Sequence, residues 1–405
     1  MILLSSILLT LAHDAAPVVN GAIVVRDGVI TEHGTASRIL KRHPHQKTYR
    51  LENAVLMPGL VNAHAHLELP PLLETIRAET FPAWVQNLIR VKRLIGISRY
   101  EAAARKNIET LADSGTTTVG EICTHNVSPR LLKESGLRCI IYSEVIGMSP
   151  SASAARISCP PSRPASLVQY GISPHSPYTV SRTLLQRIKT ISTRRNLRLA
   201  MHVAESADEA GLLQRKKSGL KNLYQAVGWD LDWAPVAASP LAYLRDQGVL
   251  GPDFLAVHAV QISASDIDIL RRSRTPVAHC PRSNHETGVG RMPLRKMLDA
   301  GVPVGLGTDS LASSPSLSMW DEMRYALKAH GRSGVSAEDI LRLATEGGAK
   351  ALGLGREIGT IERGKRADII AVPLPSRNTG NLYPDLLRET KTCIMSVVNG
   401  KVLFR

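Results

Sequence analysis

Aromatic side chains make up only 4% of the 405 residues, and acid is short relative to base: 35 Asp and Glu against 50 Lys and Arg, a formal charge of +15. Charge of that size invites a nucleic-acid partner. The bases are scattered rather than clustered, however, aromatic platforms for stacking are few, and no helix-turn-helix, zinc-finger or RNA-binding signature occurs. The expectation is a basic, solvated surface that attracts small anionic molecules, with no nucleic acid bound. Cysteine is sparse too: Cys123, Cys139, Cys159, Cys280 and Cys393 are odd in number and far apart. Such a set makes neither a disulfide framework nor a CxxC zinc site, and it fits a reducing, cytoplasmic compartment. Long apolar runs are also missing. The opening MILLSSILLTLAHDAA is too short to cross a bilayer and lacks a positive flank, the first Lys or Arg being Arg26. It reads as the first strand of a β domain, with secretion the minority reading and no membrane association expected.

What is present is ordinary globular usage, 43% hydrophobic and 21% charged, which excludes disorder and coiled coil for the chain as a whole. Both ends are β-rich. Asn20-Gly21, Asp27-Gly28 and Asn399-Gly400 read as hairpin turns. Between them, apolar strand-like runs alternate with amphipathic helical stretches: AVLMPGLVNAH, GTTTVGEI, RCIIYSEVIG, QYGISPHS, LRLAMHVAE, FLAVHAV, PVAHC and VPVGLGTDS. About eight such units close a barrel. The expected fold is α/β: a (β/α)₈ TIM-type barrel over 57–355, with a small discontinuous β-sandwich domain formed by 1–56 and 356–405. The stretch 149–168, rich in Ser, Pro and Arg, reads as a loop.

The chemically capable residues gather at the C-terminal ends of these strands, where barrels build their sites. His64 and His66 end the first strand, His175 the fourth, His202 and Glu205 the fifth, His258 the sixth, His279 the seventh and Asp309 the eighth. His64-Ala65-His66 places two imidazoles on one side of an extended chain, so both reach one metal. His202 and Asp309 complete a nitrogen and oxygen set suited to Zn²⁺ or Fe²⁺. His66-Leu67-Glu68 matches half of an H-x-E deaminase signature, but no P-C-x-x-C follows, so that class is excluded.

MPGLVNAHAHLE, MHVAE, AVHAV, GLGTDS and the closing GTIERGKRADIIAV resemble the motifs of the amidohydrolase superfamily over nearly the whole chain. HVAES, SPHSPYTVS and TDSLASSPSLSMWDEMR resemble its deaminase/chlorohydrolase branch, in particular deaminases of S-adenosylhomocysteine, adenosine-type compounds and aminodeoxyfutalosine. The resemblance implies that His64, His66, His202 and Asp309 hold a single divalent metal, Zn²⁺ foremost and Fe²⁺ second. It makes Glu205 the proton-shuttling acid, His258 the histidine near the hydrolytic water and His175 a substrate-side group. No Lys occurs in QYGISPHS to bridge two metals, so a mononuclear site is expected. A homodimer is an expectation from the resemblance alone.

Other residues carry less. In the first βα loop, Trp84, Leu88 and Val91 share a helical face, read either as packing or as a lid over a nucleoside, with Glu68 and Arg77 weaker candidates. Arg282 follows the seventh strand and can meet an anionic substrate group or face solvent. Cys280 reads as a small buried hydrophobe, and His43 and His45 as solvated. The expected reaction is metal-assisted hydrolytic deamination of an aminopurine, with aminodeoxyfutalosine, S-adenosylhomocysteine, methylthioadenosine and adenosine as candidates. The alternatives are a triazine-type chlorohydrolase or a guanine or cytosine deaminase, and, outside enzymes, a basic binding module.

Overall fold

The computed structural model describes residues 1–149, 166–375 and 381–404. Cys159 and most of the stretch read as a loop lie outside the described residues.

The chain starts in a sheet. β1 (Ile2–Leu8) pairs antiparallel with β2 (Val18–Arg26) and parallel with β4 (Thr48–Pro58), while β3 (Val29–Thr35) extends β2. The apolar opening is thus an interior strand, buried along nearly its whole length because both of its faces pack in apolar clusters, Ile2 and Leu4 in one and Leu3 and Leu8 in another. Asp27-Gly28 turns between β2 and β3 with φ of 49° and 77°, the left-handed pair that a two-residue hairpin requires. Asn20-Gly21 differs from the expectation. It lies inside β2, where Asn20 takes φ 49° but the ladder continues, and a Cβ on Gly21 would sit 2.3 Å from Leu8 Cβ. This glycine serves a close strand approach, not a turn.

The run expected as the first barrel strand divides in two. β4 ends at Pro58 in the small sheet and β5 (Leu60–Ala65) begins the barrel. At the joint, a Cβ on Gly59 would fall 2.1 Å from Thr117 Oγ1, so only glycine fits. Seven more parallel strands follow: β6 (Thr116–Cys123), β7 (Arg138–Val145), β8 (Val168–Pro174), β9 (Arg198–Val203), β10 (Phe254–His258), β11 (Val277–His279) and β12 (Val304–Leu306). They pair in sequence order, with helices outside. β12 meets β5 through Asp309, whose N–H donates to His64 O (3.1 Å) and whose carbonyl accepts from His66 N (3.1 Å). Asn62 ties the same seam: its Nδ2 donates to Thr308 Oγ1 (2.7 Å) and its Oδ1 accepts from Thr308 N (3.1 Å).

The chain then returns to the small sheet as β13 (Ile369–Pro373), β14 (Met395–Val398) and β15 (Lys401–Phe404), giving the order β15-β14-β13-β4-β1-β2-β3. Both chain ends therefore share one hydrogen-bonded mixed sheet. Asn399-Gly400 turns as expected, and its Gly400 stacks on Gly28 so closely that a Cβ would lie 2.6 Å from Gly28 Cα.

Sheet and barrel are joined by a buried ion pair. Arg138, at the start of β7, donates through Nε to Asp368 Oδ2 (2.7 Å) and through Nη2 to Oδ1 (3.1 Å), and both side chains are 2% exposed. Arg138→Leu should destabilise the fold by about 3–5 kcal/mol, because Asp368 keeps a buried charge without its partner. Replacing both residues with apolar ones should recover much of that loss in urea unfolding. Equal loss in the double variant would assign the effect to packing.

Candidate metal centre

β5 is extended up to Ala65, and its alternation brings the His64 and His66 rings to one end of the barrel. His202 reaches the same point from β9, and Asp309 from the segment after β12. One ligand atom from each of the four lies within 4.8 Å of the others. His66 Nε2 is 3.3 Å from His202 Nε2, and Asp309 Oδ1 is 3.5 Å from His64 Nε2 and 3.6 Å from His66 Nε2.

These groups fit a divalent cation better than they fit one another. His64 is fully buried, and neither of its ring nitrogens has a hydrogen-bond partner among the described residues. The Nδ1 of His202 lies 3.0 Å from the His175 carbonyl, which fixes that nitrogen as the donor and leaves Nε2 a lone pair. Burial holds His64 near pKa 4, so its ring is neutral at pH 7. Separations of 3.3–3.6 Å match the ~3.4 Å edges of a tetrahedron with ~2.0–2.1 Å bonds.

Asp309 is held from behind. Its Oδ2 accepts from Ser283 Oγ (2.5 Å) and Ser313 Oγ (2.8 Å), leaving Oδ1 toward the imidazoles. Burial raises its pKa, but the His64 and His66 rings outweigh that and hold the carboxyl well below the usual range. The backbone is strained at two of the site residues, with φ of 57° at Asp309 and 73° at His258. Left-handed conformations at non-glycine residues cost ~1–3 kcal/mol and persist where surrounding bonds over-determine them. The paired bonds across the seam do so for Asp309.

Beside this cluster, Glu205 is buried, and burial above all, reinforced by Asp309, lifts its carboxyl to about 8. Its Oε1 lies 3.5 Å from His258 Nε2. His258 Nδ1 is 2.9 Å from Asn284 Oδ1, an acceptor, so Nδ1 carries the proton and the unpartnered Nε2 is a lone pair. His175 contacts Thr179 Oγ1 through Nδ1 (2.8 Å) and is likewise neutral, pushed by burial to about 3. His66, His175, His202, Glu205, His258 and Asp309 border one cavity of ≈ 240 Å³. Its apolar wall includes Phe81, Trp84, Leu88, Leu223, Val227 and Trp229, and its remaining polar lining includes Lys92, Glu144 and Tyr178.

Residues 55–403 match the model of the amidohydrolase family. The chain belongs to that family. A 5-methylthioadenosine/S-adenosylhomocysteine deaminase of Syntrophobacter fumaroxidans is 30% identical, over 92% of this chain and 84% of its own length. The aminofutalosine deaminase of Helicobacter pylori, solved with methylthio-coformycin, superposes with a TM-score of 0.87 at 24% identity, covering 99% of both chains. An adenosine deaminase from Xanthomonas campestris with bound zinc gives 0.81 at 24%, over 99% of this chain and 92% of its own. These two structures establish the fold.

Not every residue singled out in this amidohydrolase reaches the cavity. Trp84 does, from the helix Phe81–Lys92, with its Nε1 donating to Ala312 O (3.3 Å). Arg282 does not border it: its Nη1 donates to Ser316 Oγ (3.0 Å) and lies 3.8 Å from the Asp321 carboxylate. Local acid and hydroxyl partners claim that guanidinium. His279 pairs with His330 (Nε2 to Nε2, 3.0 Å) and borders a different cavity. Glu68 accepts from the N–H groups of Thr124, His125, Val127 and Ser128, anchoring the entry to the helix Ser128–Ser135. Arg77 is exposed beside Glu74 and Glu286. His43 meets Glu32 at 3.1 Å, and Cys280 is buried as expected.

Sequence reasoning missed Glu144, Lys92, Ser313 and the seam residue Asn62. Glu144 had a usable signal, since it ends the third barrel strand just as the singled-out histidines end theirs.

Proposed function

We propose that this amidohydrolase is a metal-dependent deaminase of adenosine-like small molecules, replacing the amino group of an aminopurine by oxygen with release of ammonia. The observation that carries this is Glu205: a buried carboxyl held protonated at neutral pH, on the cavity wall beside the four-ligand cluster. A hydrolase of unactivated amides has no need of a neutral acid aimed at a ring nitrogen, whereas aminopurine hydrolysis does. The methylthioadenosine and S-adenosylhomocysteine activity of the 30%-identical relative supports the same class.

One divalent ion is proposed per chain, Zn²⁺ foremost and Fe²⁺ as the alternative, in keeping with the zinc of the Xanthomonas structure. When bound, such an ion supplies Lewis acidity that brings the pKa of water to about 7. Glu205 donates its proton to the ring nitrogen next to the amino-bearing carbon, making that carbon electrophilic. His258 Nε2 orients the attacking water by accepting its hydrogen bond, and Asp309 Oδ1, free of the serine hydroxyls, takes the proton. A C–O bond forms, the tetrahedral carbon carries OH and NH₂, and the C–N bond breaks as Asp309 passes its proton to the departing amine and the hydroxyl proton returns to Glu205, leaving the ring carbonyl. His175 stands at the edge of this path as a substrate contact.

Ammonia release from Zn²⁺- and Fe²⁺-loaded protein should be strong for at least one of methylthioadenosine, S-adenosylhomocysteine, adenosine and aminodeoxyfutalosine. Silence across that panel with metal bound would overturn the aminopurine assignment. The apolar wall is proposed to stack on the nucleoside. Trp84→Leu should raise KM by about 3–10-fold, the worth of one aromatic contact, with kcat little changed. A selective fall in kcat would instead make Trp84 part of the chemistry.

A further inference from the structure

Glu144 is unexplained by the chemistry above. It stands at the end of β7, half-buried, on the same cavity as His66, His175 and Lys92. One oxygen, Oε2, accepts from Thr124 Oγ1 at 2.8 Å, and the other has no partner among the described residues. No basic group lies within ion-pair distance of it among those residues either. Burial alone would raise its pKa, but Lys92, His175 and His66, with the Thr124 hydroxyl, outweigh that and hold it near 2. At neutral pH the cavity therefore contains a fixed carboxylate in addition to the protonated Glu205. No described base forms an ion pair with it, and it offers two lone pairs on the open oxygen. An ionised carboxylate is acceptor-only, so what it recognises must bring donors. Adjacent hydroxyls of a sugar are such donors, and hydrogen bonds to a charged acceptor are the strong ones.

Building on the nucleoside reading, we infer that Glu144 is the specificity-determining residue that accepts hydrogen bonds from the sugar hydroxyls, while Glu205 holds the base. Fixed negative charge at this point also disfavours substrates whose sugar carries phosphate at those positions.

The test compares adenosine with 2′,3′-dideoxyadenosine as substrates of the metal-loaded wild type and of Glu144→Ala and Glu144→Gln. The wild type should prefer adenosine by about 10–100-fold in kcat/KM, the worth of hydrogen bonds to a charged group. In Glu144→Ala that preference should collapse to within about threefold, through a higher KM for adenosine, with metal content unchanged. Glu144→Gln, which keeps an acceptor but no charge, should fall between. If Glu144→Ala slows both substrates equally, or loses metal, the residue positions the centre and the inference is overturned. If the wild type acts on no adenine nucleoside, the nucleoside reading fails and takes this one with it. Wild-type turnover of adenosine with the hydroxyl preference intact in Glu144→Ala overturns the Glu144 assignment alone.

Discussion

Glu205→Gln is expected to lower kcat by about 10²–10⁴-fold, the usual worth of a positioned general acid, while the protein still binds one metal ion per chain. Glutamine keeps the shape and can still hydrogen-bond, but it has no proton to give to a ring nitrogen. The pH profile gives an independent check. Glu205 is raised to about 8 chiefly by burial, so its acid form is present at neutral pH and is lost as pH rises through that value. A bound cation favours the carboxylate and pulls the transition lower. The free-enzyme profile of kcat/KM should therefore fall on the alkaline side at or below about 8, and the Gln variant should lack that limb. Near-normal turnover in the variant, or an alkaline limb retained, would remove Glu205 from the proton path.

His64→Ala should abolish turnover together with metal binding. The cost should exceed the about 10–100-fold in affinity that loss of an outer-shell partner brings, because the fully buried His64 is a proposed ligand itself. The paired variant Ser283→Ala with Ser313→Ala removes both hydroxyls that hold Asp309 Oδ2. It should weaken metal binding only by that smaller factor. Metal content by elemental analysis, read against chelator concentration, separates the two. Proton competition follows from the same burial: with His64 near pKa 4 rather than the ~6.5 of free imidazole, protonation of its ring should weaken metal affinity only as pH falls to and below about 4. A His64→Ala protein that binds metal as tightly as wild type would mean that the four residues are not the site.

Much was legible in the residues alone, and for identifiable reasons. Period-two alternation announced that His64 and His66 face one way. Repeated strand and helix periodicity announced a barrel, and barrels converge their strand ends on one face. That rule carried His202, His258 and Asp309 to the same point as the first two histidines, though they are distant in sequence. The Asp27-Gly28 and Asn399-Gly400 turns follow from the left-handed conformations such pairs tolerate. None of these inferences needs a contact; each rests on backbone periodicity or on local steric freedom.

Tertiary packing decided the rest, because charge state and partner choice depend on neighbours that spacing does not specify. Asn20-Gly21 has the letters of a turn, yet Leu8 from another strand presses on Gly21 and makes it a strand residue. Arg282 stands where a substrate contact would, yet Asp321 and Ser316 hold it elsewhere. Glu68 lies next to His64 and His66 in sequence, but the chain folds it onto the backbone of the Thr124–Ser128 turn. Glu205 and Glu144 are the same residue type on one cavity, Glu144 near the end of β7 and Glu205 just beyond β9. Desolvation keeps one protonated, whereas the Lys92 charge and the Thr124 hydroxyl help keep the other ionised. Sequence by itself brought His66, His202, Glu205, His258 and Asp309 to the mouth of the barrel; burial and neighbouring charge, which exist only once the barrel is closed, decided which other side chains join them and which protons they hold there.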